Sequence, residues 1–120
     1  MSAFIELSNV SKCYDSPGGG DAVEVFSGVN LQMKKGEAAA IVGPSGSGKS
    51  TLLNIVGTLD HSSGGEVRVD GRELGALSLG DAAVFRNQTI GFIFQSHHLL
   101  PQCTVLENVM VPALAGHGEL

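Results

Sequence analysis

Gly43-Pro44-Ser45-Gly46-Ser47-Gly48-Lys49-Ser50, with Thr51 directly behind it, fits G-x-x-x-x-G-K-[ST], the spacing of a phosphate-binding loop. Holding a polyphosphate takes several backbone N–H groups aimed at one anion. Only a chain with little side-chain bulk curls tightly enough for that, which is the use of Gly43, Gly46 and Gly48. Lys49 would reach the β- and γ-phosphates as a mobile point charge, and the Ser50 hydroxyl would coordinate a Mg²⁺ that already carries phosphate oxygens. A helix beginning there adds its positive end.

Such a pattern arises by chance about once in a hundred chains of this composition, so its flanks decide the matter. The apolar run Ala38-Ala39-Ala40-Ile41-Val42 ahead of the loop reads as a strand buried on both faces. Leu52, Ile55, Val56 and Leu59 behind it recur at helical spacing. A Gly/Ser linker would have neither flank.

The elements around this unit follow from local patterns. Ile5 and Leu7 alternate with Glu6 and Ser8 as a strand with one buried face, and Asp15 to Asp21, with Pro17 and three glycines, is a loop. A second strand runs from Val23 to Phe26, and Val29, Leu31 and Met33 alternate cleanly, so a small antiparallel sheet precedes the loop. After the first helix, Val67 and Val69 mark a strand turned by the hairpin dipeptide Asp70-Gly71. Ser78-Leu79-Gly80-Asp81 caps a helix to about Asn87, and Ile90-Gly91-Phe92-Ile93-Phe94 reads as a second core strand ending at Gln95. Thr104-Val105-Leu106-Glu107 has the form of a capping box opening a helix that Pro112 should stop.

In an open α/β sheet, ligands sit beyond the carboxyl ends of the strands, which is where both the loop and Gln95 fall. A lone Gln there is more often a solvated strand end, and Tyr14, whose ring could stack on a purine, is more often a half-buried packing residue. His97-His98 lack a Cys or carboxylate at tetrahedral spacing and make a poor zinc site. Asp60 and Asp70 read as solvated turn residues.

Composition excludes several classes. The 120 residues carry a net charge of -5, with 42% hydrophobic and 16% charged residues, an ordinary globular balance for one domain or part of one. Lys34-Lys35 is the only adjacent basic pair, so direct nucleic-acid binding is not expected. No signal peptide or run of roughly 18 apolar residues is present, which gives a cytoplasmic expectation, and Cys13 and Cys103 read as reduced thiols.

Taken together, Tyr14, the segment from Gly43 to Thr51, and Gln95 resemble the A-loop, Walker A motif and Q-loop of the ATP-binding subunits of ABC transporters. Asn9 to Tyr14, Gly36-Glu37, Ser63-Gly64-Gly65-Glu66 and Ile90 to Gln95 also fall in that family's order. Gln95-Ser96-His97-His98-Leu99-Leu100-Pro101 with Thr104 to Val109 is most similar to the lipoprotein-releasing and macrolide-exporter branch, and Arg86-Asn87 fits it too. The resemblance implies an α/β P-loop NTPase core with an N-terminal antiparallel β-subdomain. Residues 1–94 would be that subdomain and the start of the nucleotide-binding core, and 95–120 the Q-loop and the start of a helical subdomain. Tyr14 would stack on adenine, and Gly43, Pro44, Ser45, Gly46, Ser47, Gly48, Lys49, Ser50 and Thr51 would hold ATP. Ser50 and Gln95 would bind Mg²⁺, and Lys49 and Gln95 would serve the chemistry. Partners would be a transmembrane permease, met through Ser96 to Val111, and a second ATP-binding subunit in a head-to-tail dimer, at the inner face of the membrane.

The sequence to Leu120 contains no LSGGQ signature, Walker B run with its Asp and Glu, D-loop or switch His. Those carboxylates hold the metal and polarise the attacking water. The expectation is therefore an N-terminal portion of such a subunit, inactive alone, with the runs 38–42 and 90–94 bare-edged and not paired to each other. A non-hydrolysing nucleotide-binding module remains the alternative. A non-transport ATPase acting on DNA or ribosomes is disfavoured by the acidic balance.

Overall fold

The computed structural model describes residues 3–115, which divide between Leu77 and Ser78 into two compact units. In the first, strands β1 (Ile5–Tyr14), β2 (Val23–Met33), β3 (Gly64–Val69) and β4 (Arg72–Glu73) form an antiparallel sheet in the order β2-β1-β3-β4. Helix α1 (Lys49–Val56) follows β2, and a single 3-10 turn, Leu74–Ala76, follows β4.

β1 is the centre of the sheet and does not keep the alternation of its first residues. Leu7 and Val10 are both almost fully buried although they stand three positions apart. A strand can do that only with an extra residue in it. The bulge lies at Ser8-Asn9: Asn9 takes φ 50, and the register slips after Leu7 against β2 and after Ser8 against β3. Gly65 makes it possible, because a Cβ there would sit 2.3 Å from the Asn9 carbonyl oxygen and 2.5 Å from that of Ser8. The two expected segments of the second strand are one strand, with Gly28 at φ 65 in its middle. Val67 and Val69 are buried opposite Leu7 and Ile5, and Asp70 and Gly71 both adopt positive φ, as a tight primed turn requires.

α1 is shorter than its apolar spacing suggests. Thr58 takes φ 66, which no helix accommodates, so Leu59 falls outside the helix and is 47% exposed.

The second unit contains helices α2 (Leu79–Thr89) and α3 (Val105–Ala115). Both start as their caps dictate. The Asp81 amide donates to Ser78 Oγ at 3.1 Å, and the Thr104 amide and Glu107 Oε1 pair at 2.9 Å while the Glu107 amide donates to Thr104 Oγ1 at 3.1 Å. The bond from the Thr104 amide, then that from its hydroxyl, hold the Glu107 carboxyl below its ordinary pKa. Asn108 ties the preceding loop down: its Oδ1 accepts from the Leu100 amide at 2.8 Å, and its amide donates to the Leu100, Cys103 and Thr104 carbonyls.

Two expectations are corrected here. Pro112 does not stop α3 but lies inside it. Its ring fixes a φ compatible with the helix and removes one main-chain donor, and the helix runs on to Ala115. Nor are the apolar runs 38–42 and 90–94 buried strands: neither carries ladder hydrogen bonds, Val42 is 86% exposed, and Ile93 is fully exposed. A strand exists only as one side of a pair, and no described segment pairs with either run. With no strand at either run, the expected pair of bare-edged core strands is not formed among the described residues. Phe92 and Phe94 still stack, with centroids 5.3 Å apart.

Candidate functional site

The segment 43–50 is curled, and four local contacts curl it. The Ser47 amide donates to the Pro44 carbonyl at 3.2 Å, and the Ser47 hydroxyl donates to the same oxygen at 2.7 Å. Lys49 turns back over the loop, its ammonium donating to the Gly43 carbonyl and, at 2.8 Å, to that of Pro44. Gly46 and Gly48 supply the left-handed φ values, 80 and 91, on which the curl depends. At Gly48 space is closed as well: a Cβ would stand 2.7 Å from Val25 Cγ1 and 3.0 Å from Phe26 Cδ1, so the loop is seated directly on β2.

α1 begins at Lys49 with no side-chain cap on its first turn. Its leading N–H groups are therefore left for another acceptor. Ser50 is exposed and Thr51 half-buried in that turn. A curled backbone, a cation held over it, a helix start with no side-chain cap and an exposed hydroxyl beside them are the donor set a polyphosphate with a hard divalent cation requires, so the residues fit Mg-ATP.

A second cluster joins the end of β1 to the segment after α1. Lys12 is only 9% exposed, yet its ammonium is satisfied by Asp60 Oδ1 at 3.0 Å and the His61 carbonyl at 2.6 Å. The Tyr14 hydroxyl donates to the other oxygen, Asp60 Oδ2, at 2.7 Å, and the Lys12 ammonium lies over the Tyr14 ring, 4.8 Å from its centroid. Burial pulls the Asp60 pKa upward, but the hydrogen bonds from Tyr14, Lys12 and the His61 amide, with the Lys12 charge, outweigh it. The carboxyl therefore ends below its usual range. Asp60 is thus an organised acceptor rather than the solvated turn residue its sequence context suggests, and its only sequence signal was the turn.

The expected site residues are distributed as follows. The loop from Gly43 to Thr51 is one continuous structure, and Tyr14, 45% exposed, stands in the same unit with its partners Lys12 and Asp60 outside the loop. Gln95 is exposed in the bend after Phe94, in the second unit. His97 and His98 belong to no group of metal-ligating side chains among the described residues. His97 Nδ1 accepts from the Leu99 amide, and His98 packs on Phe94 with centroids 4.3 Å apart. No helix among the described residues is long and apolar enough to cross a membrane.

The chain is 56% identical over 112 residues to the lipoprotein-releasing system ATP-binding protein LolD 1 of Rhodopirellula baltica, covering 93% of this chain and 48% of that protein. It is 52% identical over 116 residues to LolD of Geobacter metallireducens, covering 95% of this chain and 50% of the relative. It spans about half the length of the curated relatives it matches. Among solved structures, it superposes on the dimeric, post-hydrolysis state of the ATP-binding cassette MJ0796 bound to ADP and Pi. The TM-score is 0.89 at 41% identity, over 97% of this chain and 50% of that one. The expected fold class, the nucleotide-binding core of an ABC ATPase with an antiparallel β-subdomain, is therefore the observed one. The sequence profile of the ABC transporter family matches residues 26–119, and the chain belongs to that family.

Proposed function

We propose that this chain is the ATP-gripping portion of an ABC-transporter subunit of the lipoprotein-releasing type. In the whole protein it couples Mg-ATP binding and hydrolysis to a membrane permease, from the cytoplasmic face of the membrane. The observation that carries the reading is the curled segment 43–50 with the Lys49 ammonium held over its carbonyls. Bound ATP supplies the cleavable γ-phosphate. The loop amides and the α1 N-terminus orient its anionic tail, Lys49 exchanges carbonyl contacts for phosphate oxygens, and Ser50 presents its hydroxyl to Mg²⁺.

In the whole protein Gln95 would serve as a further ligand to the metal, and Ser96 to Val111 would meet the permease. Residues 1–94 act as the β-subdomain and nucleotide-binding core, and 95–120 as the start of the helical subdomain. The cassette pairs head-to-tail with a second copy. The named relatives, both lipoprotein-releasing ATP-binding proteins, support the branch.

Turnover needs carboxylates that hold the metal and polarise water, and the sequence contains no Walker B run to supply them. The 120 residues alone are thus a binding module. Titrating the purified chain with Mg-ATP by calorimetry tests this: Lys49→Ala should abolish binding, and retained affinity in the variant would overturn the loop assignment.

A further inference from the structure

We infer that Asp60 and Lys12 are positioning residues for nucleotide binding, holding Tyr14 as a platform with one open face for the base of a nucleoside triphosphate. The inference rests on the phosphate-loop reading above. A tyrosine ring on a strand end turns about two side-chain torsions, and each must be fixed before a base can stack without ordering the ring first. Here the ring is held at its hydroxyl and over one face. The hydroxyl donates to Asp60 Oδ2 at 2.7 Å, and the Lys12 ammonium stands 4.8 Å from the centroid, covering one face. The opposite face is left for a ligand, and Tyr14 as a residue is 45% exposed.

The holding groups are fixed in turn. Lys12 is 9% exposed and bonded to the Asp60 carboxylate and the His61 carbonyl, and the His61 amide donates to Asp60 Oδ1 at 2.7 Å. Packing Tyr14 into a core would require none of this. An exposed tyrosine clamped by an ion pair whose side chains are 11% and 28% exposed is the arrangement expected of a surface kept ready for a planar ligand.

The chain contains one Tyr and no Trp, so its tyrosine fluorescence reports Tyr14 alone. A phenol hydrogen-bonded to a carboxylate is quenched, so Asp60→Ala should brighten the emission, and Asp60→Asn, which keeps an acceptor, should brighten it less. Affinities are then measured by calorimetry for Mg-ATP and for Mg-tripolyphosphate, which lacks a base. Asp60→Ala and Tyr14→Phe should each weaken Mg-ATP about threefold to tenfold, the scale of a partly disordered aromatic contact, and leave tripolyphosphate unchanged. The double variant should lose no more than either single one.

Equal losses for both ligands would mean a merely structural role and would overturn the inference. So would additive losses, or Mg-ATP affinity unaltered in Asp60→Ala. Tyr14→Phe retains the ring and its packing, so the test survives if Asp60→Ala fails to fold. Tyr14→Ala separates this reading from the one beneath it: unchanged Mg-ATP affinity there refutes the platform while leaving the phosphate loop intact, whereas the loop falls only with Lys49→Ala.

Discussion

Replacing Gly65 by Ala should destabilise the first unit far more than replacing Gly71 by Ala, although the two glycines look alike by every local measure. Both sit in the left-handed region, at φ 79 and 77, so each substitution incurs the same backbone strain, roughly 1–2 kcal/mol. Both also gain the same small benefit from restricting the unfolded chain. These contributions cancel in the comparison, and what remains is space. Around Gly71 a new Cβ meets nothing within 4 Å. At Gly65 it would lie 2.3 Å from the Asn9 carbonyl oxygen, 2.5 Å from that of Ser8 and 2.6 Å from the Asn9 carbonyl carbon.

These are backbone atoms held in the β1 bulge between two neighbouring strands, so they cannot swing aside as a side-chain tip would. Overpacking of this kind costs about 1–3 kcal/mol, which puts Gly65→Ala at about 2–5 kcal/mol against about 1–2 for Gly71→Ala. Urea unfolding followed by far-ultraviolet circular dichroism measures both. Midpoints that shift equally for the two variants would show that the bulge and its close approach are not what Gly65 serves.

Three further outcomes are expected. Thr104→Ala removes one half of the capping box on α3 and should reduce stability by about 1 kcal/mol, with loss of helical dichroism; an unchanged unfolding midpoint would count against the cap. Because the Asp60 pKa is depressed in the folded chain, its contribution is fully present above its unfolded value, near 3.8, and is lost as pH falls through the folded one. The stability advantage of the native chain over Asp60→Asn should accordingly be constant at neutral pH and shrink below about pH 4, and an advantage that persists undiminished in acid would contradict the assignment. Leu99 and Leu100, 57% and 40% exposed, should weaken permease capture when changed to Ser while Mg-ATP affinity stays the same; an unaltered pull-down would remove the segment after Gln95 from the partner surface.

What the sequence reveals depends on whether a feature's cause is local. The glycine-dependent curl at 43–50, the caps at Ser78 and Thr104, and the Asp70-Gly71 turn are legible because each demands particular residue types within a few positions, and the structure has each one. The Asp60 cluster was missed because its partners, Lys12 and Tyr14, lie 48 and 46 positions away, and a carboxylate in a turn looks the same whether solvated or clamped. The β1 bulge was missed for a similar reason: its chief requirement is a glycine on another strand. Runs 38–42 and 90–94 failed differently. Their composition gives a preference for burial, but a strand also needs a partner, which no composition contains.

The unpaired run 38–42 separates two properties that the motif places side by side in sequence. Every contact that curls 43–50 is internal to the loop or runs to β2: Ser47 on Pro44, Lys49 on Gly43 and Pro44, Gly48 against Val25 and Phe26. None runs to 38–42, which stays unpaired and exposed while the curl persists. The curl of 43–50 is thus set by the antiparallel sheet and by the loop's own side chains.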